Sequence, residues 1–167
     1  EEIASGSIKL QESQFGFAST NVSESFVYWL ETRPLEGGRN VVVRHDKHGA
    51  VDMFPQGFNA RTLVHEYGGG SYAVMPECTA FGDAQEVIVF VNYKDQRLYL
   101  AAASKEPRVL SCEGPWRYAD LVFDKKRNRI LCVMEILSES RGEPQNVIAA
   151  VSLDQNENSF GNKPVVL

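Results

Sequence analysis

The chain has 167 residues, a length that predicts a single domain. Hydrophobic residues make up 43% and charged residues 23%, a composition that can bury a core and excludes a wholly disordered chain. The net charge of -5, with lysines and arginines scattered, excludes a nucleic-acid-binding surface, and no apolar run approaches the roughly 20 residues that span a membrane.

The start of the chain and its cysteines indicate a compartment. The first residue is Glu1 and no signal-peptide pattern follows, so we expect a processed or trimmed product of the cytoplasm or an organelle lumen, not a secreted one. Cys78, Cys112 and Cys132 are odd in number and widely spaced. This predicts ordinary thiols in a reducing compartment, in preference to disulfides, a metal site or a nucleophile.

Patterns typical of β-strands dominate the chain, and no segment shows a sustained helical period with caps at both ends. The predicted strands are short runs of β-branched and aromatic residues bounded by turn residues. In chain order the clearest are residues 26–30, 41–43, 87–91, 97–100, 130–134 and 146–151. Turn residues at 46–49, 93–96 and 124–128 join them into an antiparallel meander.

The strands repeat in a fixed order: a loose strand, a strong apolar strand, a third strand and a short fourth one. The strong strands start near Phe26, Val87 and Ile130, about 60 and about 43 residues apart, and the second spacing is typical of four-stranded propeller blades. Residues 57–70 account for the longer first spacing. We therefore predict an all-β fold of three four-stranded antiparallel blades, at about residues 5–56, 57–111 and 114–167.

Three blades do not close a ring, because propellers have about four to eight. An open stack leaves two sheet faces uncovered. This favours either a fragment of a longer, incomplete propeller or self-association that covers the open faces. Two copies of the chain would supply six blades.

One stretch approaches the nucleophile elbow of serine hydrolases. Gly69-Gly70-Ser71-Tyr72-Ala73 nearly matches G-x-S-x-G, but such an elbow needs a helix after the serine. Here a strand that stops at Pro76 is predicted instead. The three histidines also precede Ser71, whereas hydrolases of that fold place their histidine last.

Metal and phosphate sites are equally poor matches. His45 and His48 lie in and beside a predicted hairpin turn, where solvated polar residues are ordinary. His65-Glu66 is not followed by the second histidine of a zinc motif. The glycines lack both the lysine of a phosphate loop and its strand–helix context. We therefore expect no metal and no cofactor.

Polar residues accompany glycines at two places in the chain. The loop between the second and third strands of the first blade carries Arg33, Glu36 and Arg39. Arg61, His65, Glu66 and Tyr67 precede three glycines, a run that a folded chain tolerates where the backbone turns sharply or approaches something closely. Two explanations stay open: ion pairs that anchor long loops, or a surface for a peptide or a partner domain, for which arginine is suited.

Four motifs in this order carry a resemblance: Arg33-Pro34-x-Glu36-Gly37-Gly38-Arg39, Val64-His65-Glu66-Tyr67-Gly68-Gly69-Gly70, Asp95-Gln96-Arg97-Leu98-Tyr99 and Arg117-Tyr118-Ala119-Asp120. As a set they resemble the N-terminal β-propeller of the prolyl oligopeptidase family, nearest to its acylaminoacyl-peptidase and dipeptidyl-peptidase-like branch. The resemblance covers about residues 23–151.

The resemblance implies a serine peptidase whose propeller restricts access to a C-terminal α/β-hydrolase domain and so selects short peptides. No stretch of this chain resembles that domain, so the resemblance places no catalytic residue here and assigns Ser71 to the propeller. It implies a peptide substrate, met through the hydrolase domain. The expected function is a non-catalytic, substrate-gating propeller segment of an oligopeptidase, with a non-enzymatic scaffold for protein–protein interaction as the alternative. The candidate contact residues are Arg33, Glu36, Arg39, Arg61, His65, Glu66 and Tyr67.

Overall fold

The computed structural model describes residues 9–17, 25–66, 68–82, 84–137, 143–154 and 161–167. In these ranges twelve strands form three antiparallel sheets of four. The first sheet contains β1 (Lys9–Phe17), β2 (Ser25–Arg33), β3 (Arg39–Asp46) and β4 (Gly49–Asp52). The second contains β5 (Tyr72–Cys78), β6 (Gln85–Val91), β7 (Leu98–Ala101) and β8 (Arg108–Val109). The third contains β9 (Trp116–Asp124), β10 (Arg129–Ile136), β11 (Gln145–Ser152) and β12 (Val165–Val166).

The predicted fold class is confirmed. Each sheet is a meander in which strands pair in chain order, and short 3₁₀ turns at Pro34–Glu36 and Lys125–Arg127 are the regular helical elements of the described ranges. None of the helices in these ranges is long and apolar enough to cross a membrane.

The first strand of each sheet lies nearest a common axis. Strand β5 contacts both β1 and β9, whereas the short fourth strands β4, β8 and β12 are the last of their sheets. This is the radial arrangement of propeller blades. In each sheet one end is the one at which the inner strand begins, beside Thr32 in the first sheet, Phe90 in the second and Ile136 in the third. We call it the upper end.

Two apolar cores hold the sheets together. Between the first and second sheets, the Phe54 and Phe90 rings stack with centroids 4.4 Å apart, and Leu30 and Ile88 are buried beside them. A second core fills the space between the second and third sheets around Leu100. Its central side chains are buried, and a few partly buried apolar side chains pack against them. Each such side chain contributes roughly 1.5–3 kcal/mol through removal from water.

The strand predicted to stop at Pro76 continues to Cys78, so that prediction is wrong. The register against β6 shifts between Met75 and Cys78, which leaves Pro76 in a bulge. Proline has no N–H to donate to a ladder, and a bulge at a sheet edge needs none at that position. Pro76 therefore marks a bulge within the strand and not its end.

The face of the first sheet that points away from the second sheet carries an ionic cluster beside the buried Val41 and Val43. Residues of β2 that alternate with the core residue Leu30 lie on it, namely Glu31 and Arg33, and their neighbours Arg39 and Asp52 complete a charged cluster. Trp29 lies on the same face, and its indole N–H donates to Glu31 Oε2 at 3.1 Å. We call this the ionic face.

The corresponding face of the third sheet has an apolar centre, between the Arg117–Glu135 and Arg129–Asp124 ion pairs. The register places Val122, Leu131, Ala150 and Val165 side by side across β9, β10, β11 and β12. Val122 is 57% exposed and Val165 62%, and Ile148 in the next row is 53% exposed. Exposed apolar surface of this kind marks a place where another element packs. We call this the apolar face.

Candidate functional site

Residues 59–66 and 68–71, from the segment that links the first two sheets, run along the upper end and touch all three sheets. We call this segment the glycine-rich connection. The Ala60 N–H donates to the Asn40 carbonyl of the first sheet at 2.9 Å, and the Arg61 N–H to the Val91 carbonyl of the second at 3.1 Å. The Gln96 side chain, at a turn of the second sheet, accepts from the Leu63 N–H at 2.8 Å.

The glycines serve a close approach to the inner strand of the third sheet. A Cβ on Gly69 would lie 3.0 Å from the Ala119 Cβ, and one on Gly70 would lie 3.1 Å from Asp120 Oδ1. The Gly70 N–H donates to Asp120 Oδ1 at 2.8 Å, and the Asp120 N–H donates back to the Gly70 carbonyl at 2.8 Å. Two motifs far apart in the sequence thus form one joint between sheets.

Asp120 is presented by a bulge in β9. The register against β10 shifts between Leu131 and Val133, so Asp120 and Leu121 together oppose one residue. Asp120 has φ 52°, in the left-handed region, which aspartate tolerates better than most residues. The bulge turns its carboxylate toward the glycines instead of along the sheet.

A buried carboxylate fixes the middle of the connection. Glu135 is 3% exposed; its Oε1 accepts from the His65 N–H at 3.2 Å, and its Oε2 pairs with Arg117 Nη1 at 3.1 Å. The same Arg117 nitrogen donates to the Leu63 carbonyl at 3.2 Å. A buried charge is costly unless it has hydrogen-bonding or ionic partners. Glu135 and Arg117 meet this need through their bonds to the turn and to each other, and these bonds hold the turn in place.

Of the predicted contact residues, Arg33, Glu36 and Arg39 are engaged inside the first sheet. The Arg33 guanidinium makes a bidentate pair with Asp52, with both N–O distances 2.6 Å, and its Nε donates to Glu31 at 3.0 Å. Arg39 Nε donates to Glu36 Oε2 at 2.5 Å. For these three residues the geometry is that of ion pairs that anchor a loop.

The charges in this cluster stabilise one another. Hydrogen bonding to Asp52 raises the pKa of Arg33 above its usual range, because the carboxylate favours the charged guanidinium. The Arg39 hydrogen bond is the main cause that lowers the pKa of Glu36. Arg33 and Glu36 are therefore both ionised at neutral pH.

The second predicted group is placed differently. Arg61, His65 and Glu66 are all exposed on the glycine-rich connection. The Arg61 guanidinium lies over the Tyr93 ring, 5.1 Å from its centroid. His65 and Glu66 have consecutive φ values of 54° and 61°, a strained pair held by the Glu135 contact. Tyr67 lies outside the described residues.

A cleft of about 280 Å³ lies between the first sheet and the glycine-rich connection. One wall comes from the first sheet and includes Thr32 and Asn40; the other comes from the connection and includes Arg61, Thr62 and Gly69. This polar cleft has Arg61 of the predicted contact residues in its lining, but not Arg33, Glu36 or Arg39. We call it the upper cleft.

Ser71 does not have the setting of a nucleophile. It is 2% exposed, its hydroxyl donates to the Ala60 carbonyl at 3.3 Å, and the strand β5 follows it directly. Within the described ranges, no three or more His, Cys, Asp or Glu side chains are grouped to hold a metal ion. Burial raises the pKa of the Cys132 thiol to about 12, which disfavours a reactive thiolate there.

Sequence reasoning did not single out Thr32, Asn40, Asp52 or Glu135. Thr32, Asn40 and Asp52 sit in ordinary strand patterns and gave no local signal. Glu135 did give one, since it is a carboxylate in the otherwise apolar run of β10 and needs a buried partner.

Comparison with known proteins gives one kind of match. No protein-family model matches the chain, and no curated protein sequence matches it. The solved structure of a Mycobacterium tuberculosis puromycin-hydrolyzing peptidase matches 92% of this chain and 24% of its own, at 29% sequence identity and a TM-score of 0.65.

Two structures of puromycin hydrolase agree with that match. One, a variant complexed with PGG, matches 81% of this chain at 29% identity and a TM-score of 0.68, and the other matches 86% at 28% identity and 0.67. The chain spans 21% of the first and 23% of the second, so it corresponds to under a quarter of each of these solved proteins. The similarity is to the propeller part of a hydrolytic peptidase.

Proposed function

We propose that this chain, which belongs to the propeller portion of the prolyl oligopeptidase family, gates the access of peptides to the catalytic domain of a serine oligopeptidase. The family expected from the four sequence motifs is confirmed by the solved structures. Its acylaminoacyl-peptidase and dipeptidyl-peptidase-like branch stays a prediction. The hydrolase domain, the peptide substrate and a cytoplasmic location belong to the proposal.

One observation carries the gating role: the glycine-rich connection lies across the upper end and is tied to all three sheets. A segment anchored at Asn40, Gln96 and Asp120 is a fixed obstruction beside the common axis. Strain at His65 and Glu66 is retained because Glu135 holds the turn, and exposed strained turns are frequently functional. The backbone of this segment therefore narrows the entrance at the upper end, and the narrowed entrance excludes bulky substrates by size.

The roles of the polar residues divide accordingly. Arg33, Glu36 and Arg39 shape the upper end through ion pairs within their own sheet. Arg61, His65 and Glu66 are exposed and offer polar contacts to a peptide or to the catalytic domain. Further blades, packed on the apolar face, would complete the ring around the same axis.

The proposal is tested with the complete gene product and a ladder of peptides from about 3 to about 20 residues. Arg117→Met loosens the connection at the third sheet, because it removes the bonds to Leu63 and Glu135 while the Gly70–Asp120 joint stays. We expect kcat/KM for the long peptides to rise relative to the short ones, with the short ones unchanged. Arg129→Met is the matched control, since that arginine has a similar side-chain exposure, 25% against 28%, and pairs at the opposite end of β10.

A length preference that is identical in Arg117→Met and the wild type, with both proteins folded, contradicts the gating role. A complete gene product that hydrolyses none of the peptides contradicts the peptidase assignment and favours the non-enzymatic scaffold.

A further inference from the structure

The upper cleft has a charge and a hydrogen-bonding capacity that select its ligand. The residues that line it include one cation, Arg61, and no carboxylate. Within the part of the chain that the structure describes, the Arg61 guanidinium makes no salt bridge and is held only by its stacking on Tyr93. A guanidinium fork on an aromatic ring keeps its edge available for a planar anion.

The walls of the cleft add neutral donors. The Asn40 Oδ1 accepts from the Thr32 hydroxyl at 2.7 Å. This bond orients the amide so that the two Nδ2 protons stay available to donate. Asn40 is only 5% exposed. The Thr62 hydroxyl accepts from the Val64 N–H at 3.1 Å and keeps its own proton to donate. The side chains of Asn40 and Thr62 are therefore nearly buried and have donor protons that no acceptor among the described residues binds. Such groups favour a ligand that supplies acceptors.

The size of the cleft limits what can occupy it. A volume of about 280 Å³ is at the lower limit of small-molecule pockets, which have roughly 300–1,000 Å³. It accommodates one or two residues of a peptide and not a long segment. A carboxylate is the group on a peptide that combines negative charge with acceptors suited to a guanidinium and two neutral donors.

We propose that the upper cleft binds a carboxylate of a peptide, carried by the chain terminus or by an acidic side chain, through Arg61, Asn40 and Thr62. The choice of a peptide as ligand rests on the proposed function. The cleft then gives the propeller a chemical preference in addition to the size limit of the connection. Peptides that carry the carboxylate are held at the upper end, and neutral ones are not.

The test measures binding, not hydrolysis, with the ¹⁵N-labelled chain in solution. The probes are trialanine with a free C-terminus, trialanine amide with its N-terminus equally free, and N-acetyl-aspartate amide. We expect the two carboxylate probes to shift the Gly68, Gly69 and Arg61 Nε–H resonances, and trialanine amide to bind at least about tenfold more weakly. Trialanine binding alone identifies the terminal carboxylate as the preferred source, and aspartate binding alone identifies the side chain.

Arg61→Gln is expected to weaken the carboxylate probes by about tenfold or more, because the charge is lost while the side chain stays polar. Arg108→Gln is the matched control, because Arg108 is also exposed and stacked on an aromatic ring, 4.7 Å from the Phe81 centroid, outside the cleft. No preference of either carboxylate probe over trialanine amide, unchanged binding in Arg61→Gln, or no shift with any probe overturns the proposal. None of these results alters the Arg117→Met length-selectivity test, so the two proposals fail independently.

Discussion

The two outward faces of the molecule differ in the cluster that each carries. The ionic face of the first sheet gathers Glu31, Arg33, Arg39 and Asp52 into one network of salt bridges, whereas the apolar face of the third sheet aligns Val122, Leu131 and Val165. If two copies formed a six-bladed ring, each apolar face would cover an ionic face. Burying that network against aliphatic side chains costs the hydration of its charges and returns no new partner for them.

This difference bears on how the open stack is completed. An apolar sheet face is best covered by another apolar sheet face, as already happens around Phe54 and Phe90 between the first two sheets. We therefore favour a further blade of the same propeller over a second copy as the neighbour of the third sheet. Self-association of the isolated chain through two apolar faces remains the alternative that the experiments below address.

The largest effect is expected from Arg39→Ala, which opens the ionic face. Arg39 is 7% exposed and joins Glu36 to Asp52, so its removal leaves two carboxylates short of a partner beside a cavity. We expect a loss of about 2 kcal/mol in the free energy of unfolding, measured by urea denaturation. Arg127→Ala, at a pair whose arginine is 61% exposed, should cost about 0.5 kcal/mol or less. Equal losses in the two variants would show that the ionic face is not a cohesive unit.

An intermediate effect is expected when charge is placed on the apolar face. The double variant Val122→Lys/Ile148→Lys changes two exposed side chains, so the stability of the isolated chain should change by less than about 1 kcal/mol. Self-association, followed by sedimentation velocity, should decrease sharply. Leu35→Lys is the control, because Leu35 is 87% exposed but stands alone on a turn of the first sheet. An association that survives the double variant would place the contact on another surface.

The smallest effect is a pH dependence confined to the ionic face. The pKa of Glu36 in the folded chain is below its ordinary value of 4.5, mainly because Arg39 donates to it. The stabilisation is therefore complete above about pH 4.5 and is lost as the pH falls through the lower, folded-state pKa. Urea unfolding between pH 6 and pH 3 should show a shallower decline in Glu36→Gln than in the wild type. Glu106→Gln, on an exposed turn, should follow the wild-type curve; a wild-type slope in Glu36→Gln would refute the prediction.

Much of the fold was predictable because its determinants are local. Runs such as residues 87–91 and 130–134 combine β-branched side chains with flanking turns, and they lie inside β6 and β10. The glycine run was expected to mark a sharp turn or a close approach, and it marks both: Gly68 has φ 88°, and a Cβ on Gly69 or Gly70 would be in tight contact with Ala119 or Asp120.

The candidate site was predictable only in part, since its geometry depends on contacts between sheets. The motifs identified Arg61 and the glycines, but the opposite wall of the upper cleft comes from Thr32 and Asn40, which no local pattern distinguishes from other strand residues. Likewise the two groups of polar residues looked equivalent. Packing makes Arg33 and Arg39 part of an internal network and leaves Arg61 exposed.

The joint between Gly70 and Asp120 has a consequence for how the chain folds. Its partners are 50 residues apart, and the His65–Glu135 contact beside it spans 70 residues. Such distant contacts form late, because the entropy of closing the intervening chain must be overcome first. The connection can settle only after the third sheet has assembled, so the hydrogen-exchange rate of the Gly70 amide reports the completion of folding. Slow exchange at that single amide would identify molecules in which all three sheets are docked.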